Sequence, residues 1–449
     1  MATGLLAFAQ VVDGPRLPRP RIQQSEINFE SNLDELRHLG MLMFSSPMNK
    51  HDGYGDGPMD HTDTTSPGGR PTLQHNGTFL RINGLDGQTC LECHSIISNA
   101  SVPAKFGVGG VGGAVTNAMF MPTHIDVDDE AVNGFADFDG RFINPPFLFG
   151  SGGIELLGKE MTAELQAIKL QARQHPWKWF PLTTKGVNFG EIMYRNGTYN
   201  TSRVRGVDRD LVIRPFGRKG EFPTTRSFDV EAMMFHFGMQ PTEKVGEDVD
   251  ADLDGVMNEI LPGELSTLAI FNTNLERPLE TTVENRGVMM AAFQEIGCAD
   301  CHVPALSTQS PILTYSFPEV ETDPSANVFY AVDLTETPAG FDASTEGGIV
   351  VPLFSDLKRH AMGDELQESF NSSVDQMFIT ARLWGVADTA PYMHDGRALT
   401  LRDAIAMHGG EAEEVRDTFL ASSPETQQLI LDLLGTLRTP TQPAADLQD

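Results

Sequence analysis

From Leu33 to Phe44, the stretch "LDELRHLGMLMF" places apolar residues three and four apart, the period of a helix with one buried face. The same period returns in "RGVMMAAFQEIG", Arg286 to Gly297, and in "PGELSTLAIFNTNLERP", residues 262 to 278, where Leu265, Leu268 and Leu275 fall near one side. A fourth helix is predicted in "SSPETQQLILDLLGTLRTP", with Ile430, Leu433, Leu434 and Leu437 on one stripe, Ser423 as N-cap, Pro424 at the first helical position and Pro440 beyond the end. A further helix is expected to start near Gly153. Elsewhere the pattern breaks. Residues 10 to 30 are aperiodic and read as an extended arm, and "SSPMNKHDGYGDGPMDHTDTTSPGGRP" reads as a long polar loop. The run "KFGVGGVGGAV" at 105 to 115 is too rich in Gly for regular helix and is expected to wrap something bulky or cover a domain face. The chain as a whole is expected to be mainly α, with long loops and only short strands.

The helices before residues 90 and 298 share a Gly and a Phe at comparable places, Gly40 with Phe44 and Gly287 with Phe293, which suggests a duplicated unit with a loop inserted in the first copy. Three parts follow: an arm over 1–30, an N-terminal domain over 31–279 and a C-terminal domain over 280–449.

Composition narrows the partners. With 449 residues, 40% hydrophobic and 21% charged, the chain is of ordinary globular type. No run of 18 apolar residues exists, so no membrane insertion is expected. A net charge of −30 repels nucleic acid and anionic membranes and favours a small cationic partner, although acidity also serves solubility alone. The opening "MATGLLAFAQ", with Ala7-Phe8-Ala9, looks like the end of a secretory signal without its charged start, and export is the expectation.

All four cysteines fall in two copies of one pattern: Cys90, Cys93 and His94 in "CLECH", and Cys298, Cys301 and His302 in "CADCH". Two thiols at this spacing match the two vinyl groups of one haem, and the following His then lies under the ring, where it can bind iron. Two covalently bound haem c groups are the reading; a zinc site and a redox Cys pair compete with it. Covalent attachment belongs to oxidising compartments, which places the protein in a bacterial periplasm or otherwise outside the cytoplasm. What fills the second axial position decides between electron transfer and chemistry.

The run "TAPYMHDGRALTL" within residues 378–408 resembles the C-terminal signature of the bacterial di-haem cytochrome c peroxidase superfamily. With "FSDLKRHAMGDELQE" and "HGGEA" it is most similar to the di-haem oxidoreductase (thiol-oxidoreductase-like) branch, to which rubber oxygenases are related. The resemblance implies two cytochrome c-like haem domains. It implies a distal ligand for the second haem fourteen residues beyond His394, which is His408 where the peroxidases carry Met, with Met407 as the neighbour. It also implies an inter-haem Ca2+ held in part by the carbonyls of Thr389 and Pro391, and a catalytic acid/base Glu155, with Glu160 as second choice. Trp384 stands where those peroxidases have Arg, and either relays electrons between haems or packs in the core.

In the peroxidases it resembles, a His that blocks the first haem follows its motif closely; no His lies between His94 and His124, so the resemblance implies a more open first haem, with Phe120, Trp177 or Trp179 as candidate walls. Separately, Asp250, Asp252, Asp254, Gly255 and Asn258 stand in the order of a Ca2+ loop; Leu261 replaces the carboxylate at its twelfth position, with Glu259 or Glu264 as substitutes. The functional expectation is a peroxidase taking electrons from a small cytochrome c or cupredoxin. Alternatives are an oxygenase using O2 on an organic substrate and a di-haem electron-transfer cytochrome.

Overall fold

The computed structural model describes residues 14–55, 89–94, 119–126, 137–370, 373–441 and 443–447. The signal-like Ala7-Phe8-Ala9, the Gly-rich run at 105–115 and most of the polar loop after residue 55 lie outside them. The helices are α1 (Leu33–Ser45), α2 (Ser151–Gln174), α3 (Thr225–Ala232), α4 (Thr242–Val245), α5 (Pro262–Thr273), α6 (Arg286–Ile296), α7 (Leu401–Ala406), α8 (Glu413–Ala421) and α9 (Pro424–Gly435). Among the described residues, none is long and apolar enough to cross a membrane.

The mainly α expectation is corrected. Among the described residues, strands in several small sheets stand beside the helices, and the described elements do not outline two cytochrome c-like haem domains. β1 (Met119–Asp126) pairs with β2 (Asp137–Ile143), and β3 (Trp179–Thr184), β4 (Val187–Arg195) and β5 (Thr198–Val204) form an antiparallel meander. Asn196 and Gly197 both take positive φ at the tight β4–β5 turn. A further pair, Ile312–Ser316 with Val328–Asp333, buries Leu313, Tyr315, Tyr330 and Val332. These strands are hard to read along the chain because register shifts at Pro181/Thr183 and Glu191/Met193 interrupt the two-residue period.

The predicted helices form close to their expected limits. Asn32 caps α1 by accepting from the amides of Asp34 and Glu35, and the Ser423 hydroxyl caps α9 by accepting from Thr426 at 3.2 Å. α5 is buried on every side from Gly263 to Thr273, as a helix apolar all round requires. Two helices cross it at glycines: a Cβ at Gly40 of α1 would stand 2.2 Å from the Thr267 carbonyl oxygen, and one at Gly152 of α2 equally close to that of Thr273. The N-terminal arm packs rather than hangs free, with Leu17, Ile22 and Ile27 buried.

Three apolar clusters fill the interior. One surrounds α5 and α1 and reaches Cys90; one lies among α6, α8 and α9 and reaches Cys298. The third joins α2 and β4 to residues 313–384, and so draws on both sides of residue 280.

Candidate haem sites

Both cysteine motifs close on one 3-10 turn, Cys90–Glu92 and Cys298–Asp300. Cys93 and Cys301 share nearly the same backbone, with φ/ψ of −110/−35 and −107/−47. In each copy the His amide donates to the carbonyl of the first Cys, at 2.7 Å for His94 and 2.9 Å for His302. None of the four cysteines is in a disulfide. Burial pushes the Cys298 thiol up to about 11 and Cys90 in the same direction, the opposite of the lowered thiol of a redox pair. Among the described residues, the clusters of three candidate ligands are Cys301–Asp356–His360 and Asp250–Asp252–Asp254, so the four cysteines do not gather as a zinc site would need.

At the second motif, His302 Nδ1 donates to the Phe354 carbonyl at 3.0 Å and His408 Nδ1 to the Ala404 carbonyl at 2.8 Å. Such bonds fix the ring and leave Nε2 as the ligand atom. The ring centres are 6.3 Å apart. Two imidazoles on opposite sides of one metal, with bonds of about 2 Å, put their ring centres about 6 Å apart. Burial lowers the His302 pKa to about 4, with His408 adding to the effect, and burial lowers His408 as well, so both rings are neutral. It is His408 rather than Met407 that faces His302.

The stretches "FSDLKRHAMGDELQE" and "HGGEA" meet behind this pair. His360 bonds Asp356 through Nε2 and Glu411 through Nδ1, both at 2.9 Å. With carboxylates at both nitrogens the ring is held charged: burial opposes the charge, but bonds to Asp356, Cys301 and Glu411 outweigh it and raise the pKa to about 10.

At the first motif, His94 Nδ1 donates to the Pro146 carbonyl at 2.8 Å, and burial lowers its pKa to about 4. α3 and the π-helical turn Met233–Phe237 supply the facing wall, with Val230, Met233 and Phe237 in the cluster that Cys90 and Leu91 pack against. His236, on that turn, lies near enough for its charge to lower His94 further. The buried Asp229 takes two contacts from Asn272 Nδ2, at 3.1 and 3.2 Å. Burial, reinforced by Glu155, lifts its carboxyl well above the usual range, and its charge is felt by Cys90. From the sequence His236 is one of nine candidate distal histidines, whereas Asp229 is not singled out; a His and an acid seven apart beside a π-helical turn are a weak signal along the chain.

Glu155 is buried and fully partnered: Lys159 Nζ lies 2.7 Å from Oε1, while the Thr225 amide and hydroxyl donate to Oε2 at 2.9 and 3.1 Å. It therefore holds the first residue of α3, whose N-cap is Thr224, and its charge is felt by Asp229. Glu160 holds Lys185 and the amides of Gln309 and Ser310. Trp177 is exposed and Trp179 lies under the Arg203 guanidinium at 4.2 Å, past the far end of α2, about 36 Å long. The expectation that they wall the first site is corrected; Phe120 lies among residues whose side chains are not described.

Trp384 is buried, its ring 6.3 Å from that of Phe341 and pressed against Gly150, and its Nε1 has no hydrogen-bond partner. Gly150 follows Pro146, the carbonyl partner of His94, by four residues. The amide of Leu383, next to Trp384, donates to Leu353, beside the carbonyl partner of His302. The Pro391 carbonyl accepts from Asn144 Nδ2 at 2.8 Å and the Met393 carbonyl from the same atom at 3.1 Å, while Thr389 ends the adjoining turn. In the acidic loop, the ligand oxygens of Asp250, Asp252 and Asp254 lie within 4.8 Å of one another. Asn258 is turned away: its amide donates to Asp248 at 2.8 Å and its carbonyl oxygen accepts from the Asp248 amide at 2.9 Å.

Residues 339–435 match the family model described as "Di-haem oxidoreductase, putative peroxidase". The resemblance seen at "TAPYMHDGRALTL" is thereby borne out, and the matched stretch includes His360, Trp384 and His408 but neither cysteine motif. Among solved structures, the chain is similar to hydrazine synthase of Kuenenia stuttgartiensis at 15% identity and a TM-score of 0.29, over 62% of this chain and 91% of that one. No match was found among curated proteins. The family name implies haem, and the donors fit it: each motif holds a neutral imidazole locked through Nδ1 beside two thiols, with apolar walls.

Proposed function

We propose that this chain is an exported di-haem c-type oxidoreductase that reduces hydrogen peroxide at the first site with electrons relayed through the second. The observation that carries the reading is the contrast between the two sites. His302 faces His408 across the space of one metal, whereas the groups felt at the first motif are His236, by His94, and the buried acid Asp229, by Cys90.

Bound haems would supply the iron that meets peroxide and the store for its two electrons. Reduction of H2O2 to two waters also takes up two protons. Asp229, whose burial favours the protonated form, is the group that would hold a proton beside the first motif. Glu155 orients α3, and through it Asp229, by accepting from Thr225. His408 and His302 would hold the second group between them, which suits electron transfer. Trp384 packs among the segments that bind His94 and His302, which supports a role as relay. The charge of −30 favours a small basic donor, a cytochrome c or cupredoxin.

A second reading, an oxygenase acting on an organic substrate, is favoured by the Met- and Phe-rich cluster around Cys90. One set of measurements separates these. Protein matured with haem should retain both groups after denaturation in detergent. Its ferric EPR spectrum should show one high-spin signal that one equivalent of peroxide removes, and a reduced basic cytochrome should then be oxidised two to one with peroxide. Two low-spin signals indifferent to peroxide, even after half-reduction, would leave an electron-transfer cytochrome, with His236 closing the first site. Uptake of O2 with an organic substrate and no peroxide turnover would leave the oxygenase.

A further inference from the structure

We infer that the loop from Asp248 to Ile260 is a calcium site in which Asp250, Asp252 and Asp254 converge on the ion and Glu259 supplies the carboxylate that the twelfth loop position lacks. The gathering of three aspartates would not carry this alone. Asp252 is only 2% exposed, and its Oδ2 has no hydrogen-bond partner; Asp250 Oδ1 is likewise buried and unpartnered. A buried carboxylate oxygen without a donor is costly, and a hard cation is the partner that oxygen ligands of this number and charge select. The loop has already spent its internal donors elsewhere: the Gly255 amide goes to Asp250 Oδ2 and the Val256 amide to Asp254 Oδ1.

The structure also decides between the two substitutes for Leu261. Glu264 is consumed by the Arg21 guanidinium and by the Leu261 amide, which donates to Oε2 at 2.8 Å. Glu259 is 1% exposed and closes the same loop. Gly53, with φ +95°, makes room for it, since a Cβ there would stand 2.2 Å from Glu259 Cγ. The Gln240 amide donates to Glu259 Oε2 at 2.7 Å and the Thr242 amide to the Ile260 carbonyl at 3.0 Å, so an ion here would fasten the segment that carries His236.

The test is calorimetric titration of the chelator-stripped full chain with CaCl2, followed by thermal unfolding. One site with Kd of about 10⁻⁴ M or tighter is expected, with a higher unfolding midpoint in Ca2+ than in equal Mg2+. Asp252→Asn and Glu259→Gln should each weaken binding at that site by about tenfold or more, whereas Glu264→Gln should leave the affinity unchanged. Asp254→Asn, at an exposed position, repeats the test should the buried variants fail to fold. Absence of Ca2+ binding, or binding that folded Asp252→Asn and Asp254→Asn proteins retain in full, would overturn the inference; a second calcium elsewhere is recognised because these variants do not touch it.

Discussion

Glu155 and Asp229 belong to one buried network but are held in opposite ways. Glu155 has a cation and two donors, so its charge is matched, whereas Asp229 has one amide for both oxygens. Removing Glu155 leaves Lys159 buried without its counter-charge and the buried Thr225 amide of α3 without its acceptor. Glu155→Ala should therefore cost about 3 kcal/mol in urea unfolding. Asp229→Asn replaces an acid whose burial disfavours its charge by a neutral group of the same shape, so stability should change by less than about 1 kcal/mol. The same variant should lose most peroxide turnover, a split between stability and activity that a purely structural Asp229 would not produce. The residue types of both positions could be seen along the chain, but which one is satisfied by a neighbour could not.

At the scale of elements, α5 organises the N-terminal half because two helices approach it closer than side chains allow. Gly40→Ala would drive a methyl group into the Thr267 carbonyl, with Phe271 Cβ 2.5 Å away, and neither neighbour is the end of a flexible side chain. A loss of about 2–3 kcal/mol is expected, read from the denaturation midpoint. A loss near zero would mean that α1 can shift off α5. The four periodic helices were legible because their apolar stripe repeats locally. The strands were not, since Leu313 and Val332 pair across nineteen residues and β4 carries a register shift that hides its alternation.

For the whole molecule, the buried titrating groups set a direction for the dependence on pH. His360 rises from 6.5 to about 10, so the stability it contributes is complete below pH 6.5 and is lost as pH rises through 10. Burial, with Glu155 adding, lifts Glu319 from 4.5 to about 7, so its contribution is complete below pH 4.5 and lost by about pH 7. Below pH 6.5 the buried His94 and His302, lowered to about 4, work the other way, so the thermal midpoint should fall as pH is raised from 7 to 10, and His360→Gln should flatten that fall. A midpoint that rises over that range would mean that Asp356 and Glu411 do not hold the imidazolium.

The sequence by itself determined what depends on short separations: the helical stripes, the two Cys-Cys-His turns and the acidic loop, whose chemistry lies within a dozen residues. The tertiary structure decided everything that needs two distant segments to meet. It set His408, which the family resemblance had implied, rather than Met407 opposite His302, brought His236 and Asp229 to the first motif, gave Glu155 to α3 and turned Asn258 away from the aspartates to Asp248. Spacing along a chain fixes geometry only over a turn or a loop, whereas opposition across a site depends on how buried faces pack, and that packing is shared among many residues at once.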